Sequence, residues 1–337
     1  MGSAATPVVV GLDNGGTSNN ATVLTVDGRF LVDGLLESPS EVHAGPQAAI
    51  EALAGAFTRA LASVGVSRDL VRAVGLDTPG PASASGVISS RGSTNFSQPE
   101  WRGYDVRGAL ARRLGLPVVY LNDGNAAALY AHHSYFGADA TRRSSVSAVV
   151  GTGLGGGLVE GGRVIAGAAG MAGELGHVQL PLTGLLAPGQ PDPVCACGFV
   201  GDAESIASLT GIARNLLPYW LTRFPGHPLA AEPPVRAAKL VRGLGERGDP
   251  LAREIFTQQA AAIGRLFTLA ANLADPHTYF VGGGVVEAAP AFRDWFLATV
   301  RHHTMLRKEQ AAVATFALVP ERDMAGARGV ALAALRV

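Results

Sequence analysis

Four stretches of this sequence set side chains that can do chemistry beside glycine-rich turns. In residues 8–30, VVVGLDNGGTSNNATVLTVDGRF, an apolar run ends at Asp13, and Gly15, Gly16 and Thr17 follow at once. A Gly-Gly-Thr turn exposes backbone N–H groups with no Cβ in the way, which makes an anion-binding concavity, and Thr17 adds a hydroxyl donor. Asp13 offers a hard oxygen to the same place, as Mg²⁺ beside a phosphate requires. The same residues also make a plain hairpin turn with Asp13 as its cap. In YLNDGNAAALYAHH, Asn122 and Asp123 stand between a strand and an Ala-rich helix. Asp123 there can accept a proton from a sugar hydroxyl during phosphoryl transfer, or serve as the helix N-cap. In GMAGELGHVQLP, Glu174 and His177 are three residues apart and share a face if helical, an acceptor and donor pair able to grip sugar hydroxyls. CACGFVGDAES then brings Cys195, Cys197, Asp202 and Glu204, and Cys-x-Cys with an upstream His points to a metal site.

Two more glycine turns follow strands: residues 151–157 (GTGLGGG) and 282–284 (GGG). The first contains G-x-G-x-x-G, but GLVEGGRVI continues as a hairpin and not as a helix, which argues against a dinucleotide fingerprint. No glycine is followed by lysine, so there is no Walker A loop. Three such turns along one chain favour phosphate binding.

The elements that must position these residues read as strands over 8–12, 21–26 and 29–36, the last two joined by the Asp27-Gly28 hairpin signal. A helix over 46–64 has Ile50, Leu53, Phe57 and Leu61 at helical spacing. Strand 71–76, helix 106–114 and strand 118–121 complete a β-β-β-α-β-α-β order. The pattern restarts with strand 147–150, the hairpin 158–160 and 163–166, helices over 204–223, 234–244 and 250–273, strand 278–281 and a last helix 326–335. This predicts a duplicated α/β unit with a cleft between its halves, and a loop insertion over 181–193.

The totals bound the alternatives. With 337 residues the chain can hold two cores, and 47% hydrophobic against 16% charged residues makes it globular and not disordered. Zero net charge and no basic stripe exclude charge-driven binding to nucleic acid or a membrane surface. No apolar run reaches membrane-span length, the N-terminus has no signal-peptide pattern, and two cysteines one residue apart argue against a disulfide framework. A cytoplasmic protein is expected.

Taken together, DNGGT (13–17), LNDGNAAA (121–128), GTGLGGG (151–157), GELGHV (173–178) and CACGFVGDAES (195–205), with TPGPAS (78–83) and STNFSQPEW (93–101), resemble the ROK family of bacterial sugar kinases along nearly the whole chain. The resemblance implies an actin-like, ribonuclease-H-like fold of two lobes with a central cleft that takes ATP, Mg²⁺ and a hexose. Residues 1–121 would form the small lobe, completed by 320–337, and 122–319 a large lobe with the sugar-binding and zinc loop. Asp123 matches the family's catalytic base. Asn95, Asn122, Glu174, His177 and Glu204 match its sugar-contacting positions. Gly15, Gly16, Thr17, Thr152, Gly153 and Gly283 fall in its nucleotide-binding turns. His177, Cys195 and Cys197 match three ligands of a structural zinc, and Asp202 stands where the family usually has a third cysteine. The loop between His177 and Cys195 is similar to that of the family's N-acetylhexosamine kinases, and relatives are often dimers or tetramers.

The expected activity is therefore ATP-dependent phosphorylation of glucose, a related hexose or an N-acetylhexosamine, at the 6-OH. The rivals are a non-catalytic sugar sensor, which the presence of both Asp13 and Asp123 argues against, and a kinase using polyphosphate or acting on an aminosugar. A polyphosphate track needs basic residues beside the site, and the chain has two lysines, Lys239 and Lys308, with scattered arginines.

Overall fold

Ten strands and eleven α-helices carry the chain, in a computed structural model that describes residues 6–80, 82–89, 95–319 and 324–337. They form two compact units. The first holds residues Met1–Arg142, Gly157–Gly173 and Pro320–Val337, the second Arg143–Gly156 and Glu174–Val319.

The first unit is built on a sheet of order β3-β2-β1-β4-β5, with β1 Val8–Asn14, β2 Ser18–Thr25, β3 Glu37–Pro39, β4 Val71–Thr78 and β5 Val118–Asn122. β1 pairs antiparallel with β2 and parallel with β4, and β4 runs parallel to β5. Strands buried on both faces need apolar runs, and VVVGL and VRAVGL supply them. The helices α1 (Pro46–Ser63) and α2 (Val106–Leu114) bury Leu53, Phe57 and Leu110 in a core with Val10, Leu12, Val74, Phe96 and Trp101. α3 (Asp123–Phe136) and the C-terminal α11 (Ala325–Ala334) pack on each other, and α11 also lies against β1 and β4. Glycine makes that approach possible. A Cβ on Gly11 would stand 1.9 Å from the Ala327 carbonyl oxygen, and one on Gly75 would stand 2.0 Å from that of Val330. The packing of α3 on α11 puts the division at Arg142 and not at the expected 121/122.

The other sheet has the order β10-β9-β6-β7-β8, from β6 Ser144–Val150, β7 Leu154–Glu160, β8 Arg163–Val164, β9 Thr278–Gly283 and β10 Thr315–Leu318; β6, β9 and β10 belong to the second unit and β8 to the first. β7 passes at Gly156 from residues of the second unit to residues of the first. Numbered along the chain, both sheets have one and the same order, so the duplication expected from the strand pattern is present in the topology. α7 (Pro234–Glu246), α8 (Pro250–Ala274) and α9 (Pro290–His303) enclose an aromatic core in which Phe256 meets Phe292 at 5.0 Å and Phe267 meets Tyr279 at 5.3 Å.

Two segments depart from the expected elements. Residues 29–36 form no regular strand: they touch β2 through the bridge of Phe30 with Leu24 and the Leu31 N–H bond to the Val23 carbonyl, 2.8 Å. Further along this segment the Val32 and Asp33 carbonyls accept instead from buried Arg328 of α11. Residues 204–223 are three short helices, α4 (Glu204–Ala207), α5 (Leu209–Gly211) and α6 (Leu217–Arg223), with a π-helical turn before the last. Ser208 is extended and caps the Gly211 N–H, breaking the run. The sequence reading also omitted α9, β10 and the short α10 (Lys308–Ala311).

Candidate functional site

The candidate residues fall into two groups, one in each unit. In the first unit, Asp13 lies near the end of β1, and Gly15, Gly16 and Thr17 make the turn into β2, closed by the Gly15 N–H bond to the Ser18 carbonyl, 2.9 Å. The turn is tight for a reason: a Cβ on Gly16 would sit 2.5 Å from Asn95 Oδ1. Asn95, chosen only by motif, thus stands against the glycine turn. Asn20, opposite Asp13 on β2, donates its amide to Asp13 Oδ2 at 3.3 Å.

At the end of β5 the capping question is answered by Asn122. Its side chain accepts from the Asn125 N–H at 2.7 Å and is the N-cap of α3. Asp123 is the first helical residue, exposed, with Oδ1 2.7 Å from the Gly124 N–H. The N-cap reading of Asp123 is therefore corrected. It stands in the first turn of a helix, where the dipole favours a carboxylate.

Asp77, at the β4 position paired with Asp13, is a residue the sequence reading passed over. It has no exposed surface, and burial, with Asp13 and Asp123 beside it, pushes its carboxyl well above the usual range. The signal was present: an apolar strand that ends in Asp just before a Pro-Gly turn repeats the pattern at Asp13.

In the second unit, four donors come together. His177, Cys195, Cys197 and Asp202 each offer a ligand atom, all within 4.8 Å of one another. His177 Nδ1 lies 3.1 Å from Asp202 Oδ2 and 3.7 Å from Cys197 Sγ, and Cys197 Sγ lies 3.9 Å from Asp202 Oδ2. A tetrahedral ion with bonds of about 2.0–2.3 Å separates its donors by about 3.3–3.8 Å, so the set fits. The other Asp202 oxygen accepts the Ser205 N–H at 2.8 Å, which orients the carboxylate. Burial, with Cys197 and Asp202 nearby, pushes the Cys195 thiol well up, so a bound cation is what would favour its thiolate.

Glu174 precedes the 3-10 turn Leu175–His177, and its carbonyl accepts the His177 N–H at 3.1 Å. Glu204 joins the cysteine loop to the glycine turn: Oε2 accepts the Leu154 N–H at 2.9 Å, and Cys195 Sγ donates to Oε1 at 3.4 Å. A Cβ on Gly153 would meet Glu204 Oε2 at 2.5 Å. The Thr152 carbonyl is held by Thr210 through both its N–H (3.1 Å) and its hydroxyl (2.8 Å). Gly283 ends β9 beside Val150, whose carbonyl oxygen would be 1.9 Å from a Cβ there. With a φ of 93° as well, that position needs glycine for packing alone.

The family model described as "ROK family" matches residues 9–337. The chain belongs to the ROK family. A glucokinase of Streptomyces coelicolor is 31% identical over 291 residues, 83% of each chain. The ROK hexokinase structure from Thermus thermophilus is 32% identical with a TM-score of 0.74, covering 97% of both chains. A ROK family glucokinase of Streptomyces griseus, solved in complex with glucose and AMPPNP, is 27% identical with a TM-score of 0.68, covering 98% of this chain and all of that one. The α/β fold is the actin-like, ribonuclease-H-like fold of these ROK kinases. Among the described residues, no helix is long and apolar enough to cross a membrane.

Proposed function

We propose that this ROK protein is an ATP-dependent hexose kinase that phosphorylates glucose or a related hexose or N-acetylhexosamine at its 6-OH. The observation that carries the reading is Asp123: it opens α3 with Asn122 as the cap, within a chain that matches the ROK family over residues 9–337. Asp123 takes the proton from the attacking hydroxyl, and Asn95, Asn122, Glu174, His177 and Glu204 hold the sugar's other hydroxyls. In this reading Gly15, whose N–H is bonded to the Ser18 carbonyl, closes the turn, and the N–H groups of Gly16, Thr17, Thr152 and Gly153 face the phosphates, where they offset charge that grows in the transition state. Gly283 backs that role by allowing β9 to close on β6. Asp13 would hold Mg²⁺, which would supply neutralisation of phosphate charge.

His177, Cys195, Cys197 and Asp202 would hold zinc, which would cross-link the loop that carries His177. Two reduced cysteines suit the cytoplasm. The first unit corresponds to the small lobe and the second to the large one. A homo-oligomer is the assembly that the ROK resemblance implies.

The test is ADP release with ATP across hexoses and N-acetylhexosamines, with Asp123→Ala in parallel. Turnover on one sugar, lost in the variant, is expected. Sugar binding without ADP release would make the protein a sensor, and turnover with polyphosphate alone would replace ATP as donor.

A further inference from the structure

The glycine turn of residues 151–153 is held from one side by a single short segment, residues 208–211. Ser208 caps α5 by accepting the Gly211 N–H at 2.9 Å, and its hydroxyl donates to the Glu204 carbonyl at 2.7 Å, which fixes α5 to α4. The first N–H groups of a helix have no partner inside it. Here two of them go to the turn. Leu209 N–H donates to the Gly151 carbonyl at 3.0 Å, and Thr210 N–H to the Thr152 carbonyl at 3.1 Å. The Thr210 hydroxyl adds a second bond to that same carbonyl at 2.8 Å.

A trans peptide points its C=O and its N–H in opposite directions. Holding the Gly151 carbonyl therefore turns the Thr152 N–H away from α5, and holding the Thr152 carbonyl does the same for the Gly153 N–H. The other two N–H groups of the turn are used: that of Gly151 donates to the Gly153 carbonyl at 2.9 Å, and that of Leu154 to Glu204 Oε2 at 2.9 Å. Those of Thr152 and Gly153 donate to no group among the described residues, and Thr152 is exposed. Two adjacent N–H groups on one side of a glycine turn suit an anionic oxygen. Glycine at 153 leaves the peptide before it free to pivot, and a side chain cannot stiffen it, because a Cβ there would meet Glu204 Oε2 at 2.5 Å. The stiffness must come from a partner, and the two bonds from Thr210 supply it.

We propose that Thr210 is a positioning residue for nucleotide binding. Its N–H and hydroxyl fix the peptide between Thr152 and Gly153, so that the Gly153 N–H stays directed at a phosphate oxygen. Thr210 acts through the turn. That the ligand is the nucleotide rests on the kinase reading above; the hold on the turn does not.

The experiment measures AMPPNP affinity with Mg²⁺ by titration calorimetry on the full-length chain, for wild type, Thr210→Val and Thr210→Ser. Valine keeps the shape and the N–H and removes only the hydroxyl. Thr210→Val should weaken AMPPNP about three- to tenfold, the range of one net hydrogen bond, and Thr210→Ser should restore it to within about twofold. Thr210→Ala, which puts no added apolar atom at the turn, should match Thr210→Val. In the kinase assay the loss should appear in the KM for ATP with the KM for the sugar unchanged, which general damage to the second unit would not do. Equal AMPPNP affinity in wild type and Thr210→Val would overturn the proposal, and so would a loss that Thr210→Ser does not restore. Wild type that binds no AMPPNP would remove the kinase reading, and this role with it.

Discussion

Asp123 and Asn122 are adjacent, yet only Asn122 caps α3. Asp123→Ala should lower turnover by about 10²–10⁴, the usual contribution of a positioned base, with unchanged denaturation. Asn122→Ala, by removing the α3 cap, should cost about 1 kcal/mol in a urea titration. Loss of stability from Asp123→Ala instead would return Asp123 to a structural role. At the cysteine loop, Asp202→Cys should slow zinc loss to a chelator, because a thiolate replaces a carboxylate in a set already spaced for a tetrahedral ion. Zinc content after timed dialysis measures it; loss as fast as from wild type would mean that these four donors do not hold the metal. At this scale the sequence was informative wherever a carboxylate or thiol sat beside glycine. It was silent on which oxygen of Asp202 faces the cluster, since that depends on the Ser205 N–H.

Among the elements, α3 and α11 are held by side chains whose partners lie far away in sequence. Arg328 is buried, donates to Tyr130 at 2.8 Å and lies over the rings of Phe30 and Tyr130. Arg328→Ala should cost about 2–3 kcal/mol through lost charged hydrogen bonds and packing, read from the denaturation midpoint. A change under half of that would mean that water replaces the arginine. Farther along α3, His133 Nε2 donates to the Gly162 carbonyl at 3.1 Å. Burial lowers the His133 pKa below its ordinary 6.5, outweighing that bond. A depressed histidine is neutral when folded, so its contribution is complete above the unfolded value and is lost as pH falls through the folded one. His133→Gln, which keeps a donor without titrating, should flatten the fall of Tm below about pH 6.5. An unchanged acid limb would assign that fall to other groups.

For the whole molecule, the C-terminal helix matters out of proportion to its length. α11 lies against β1, β2, β4, β5 and α3, and its residues Val330, Ala331 and Ala334 are buried. Removing residues 324–337 would uncover the glycine-lined face of the first sheet. The truncated chain should therefore lose the cooperative unfolding of the first unit while the second keeps its own transition. Two unchanged transitions by calorimetry would show that α11 is dispensable.

The sequence by itself determined most of the strands, their repetition, the glycine turns and the residues that match the ROK motifs. Those depend on local backbone chemistry and on apolar periodicity, which short stretches of chain already contain. Tertiary structure alone decided that Asn122 and not Asp123 caps α3, that residues 29–36 bond to Arg328, and that Ser208 divides the 204–223 run. It also brought Asp77 and Asp13 to one point beside Gly326. Each of these is settled by a group on another element competing for a backbone or carboxylate atom, and such partners are not written in local sequence.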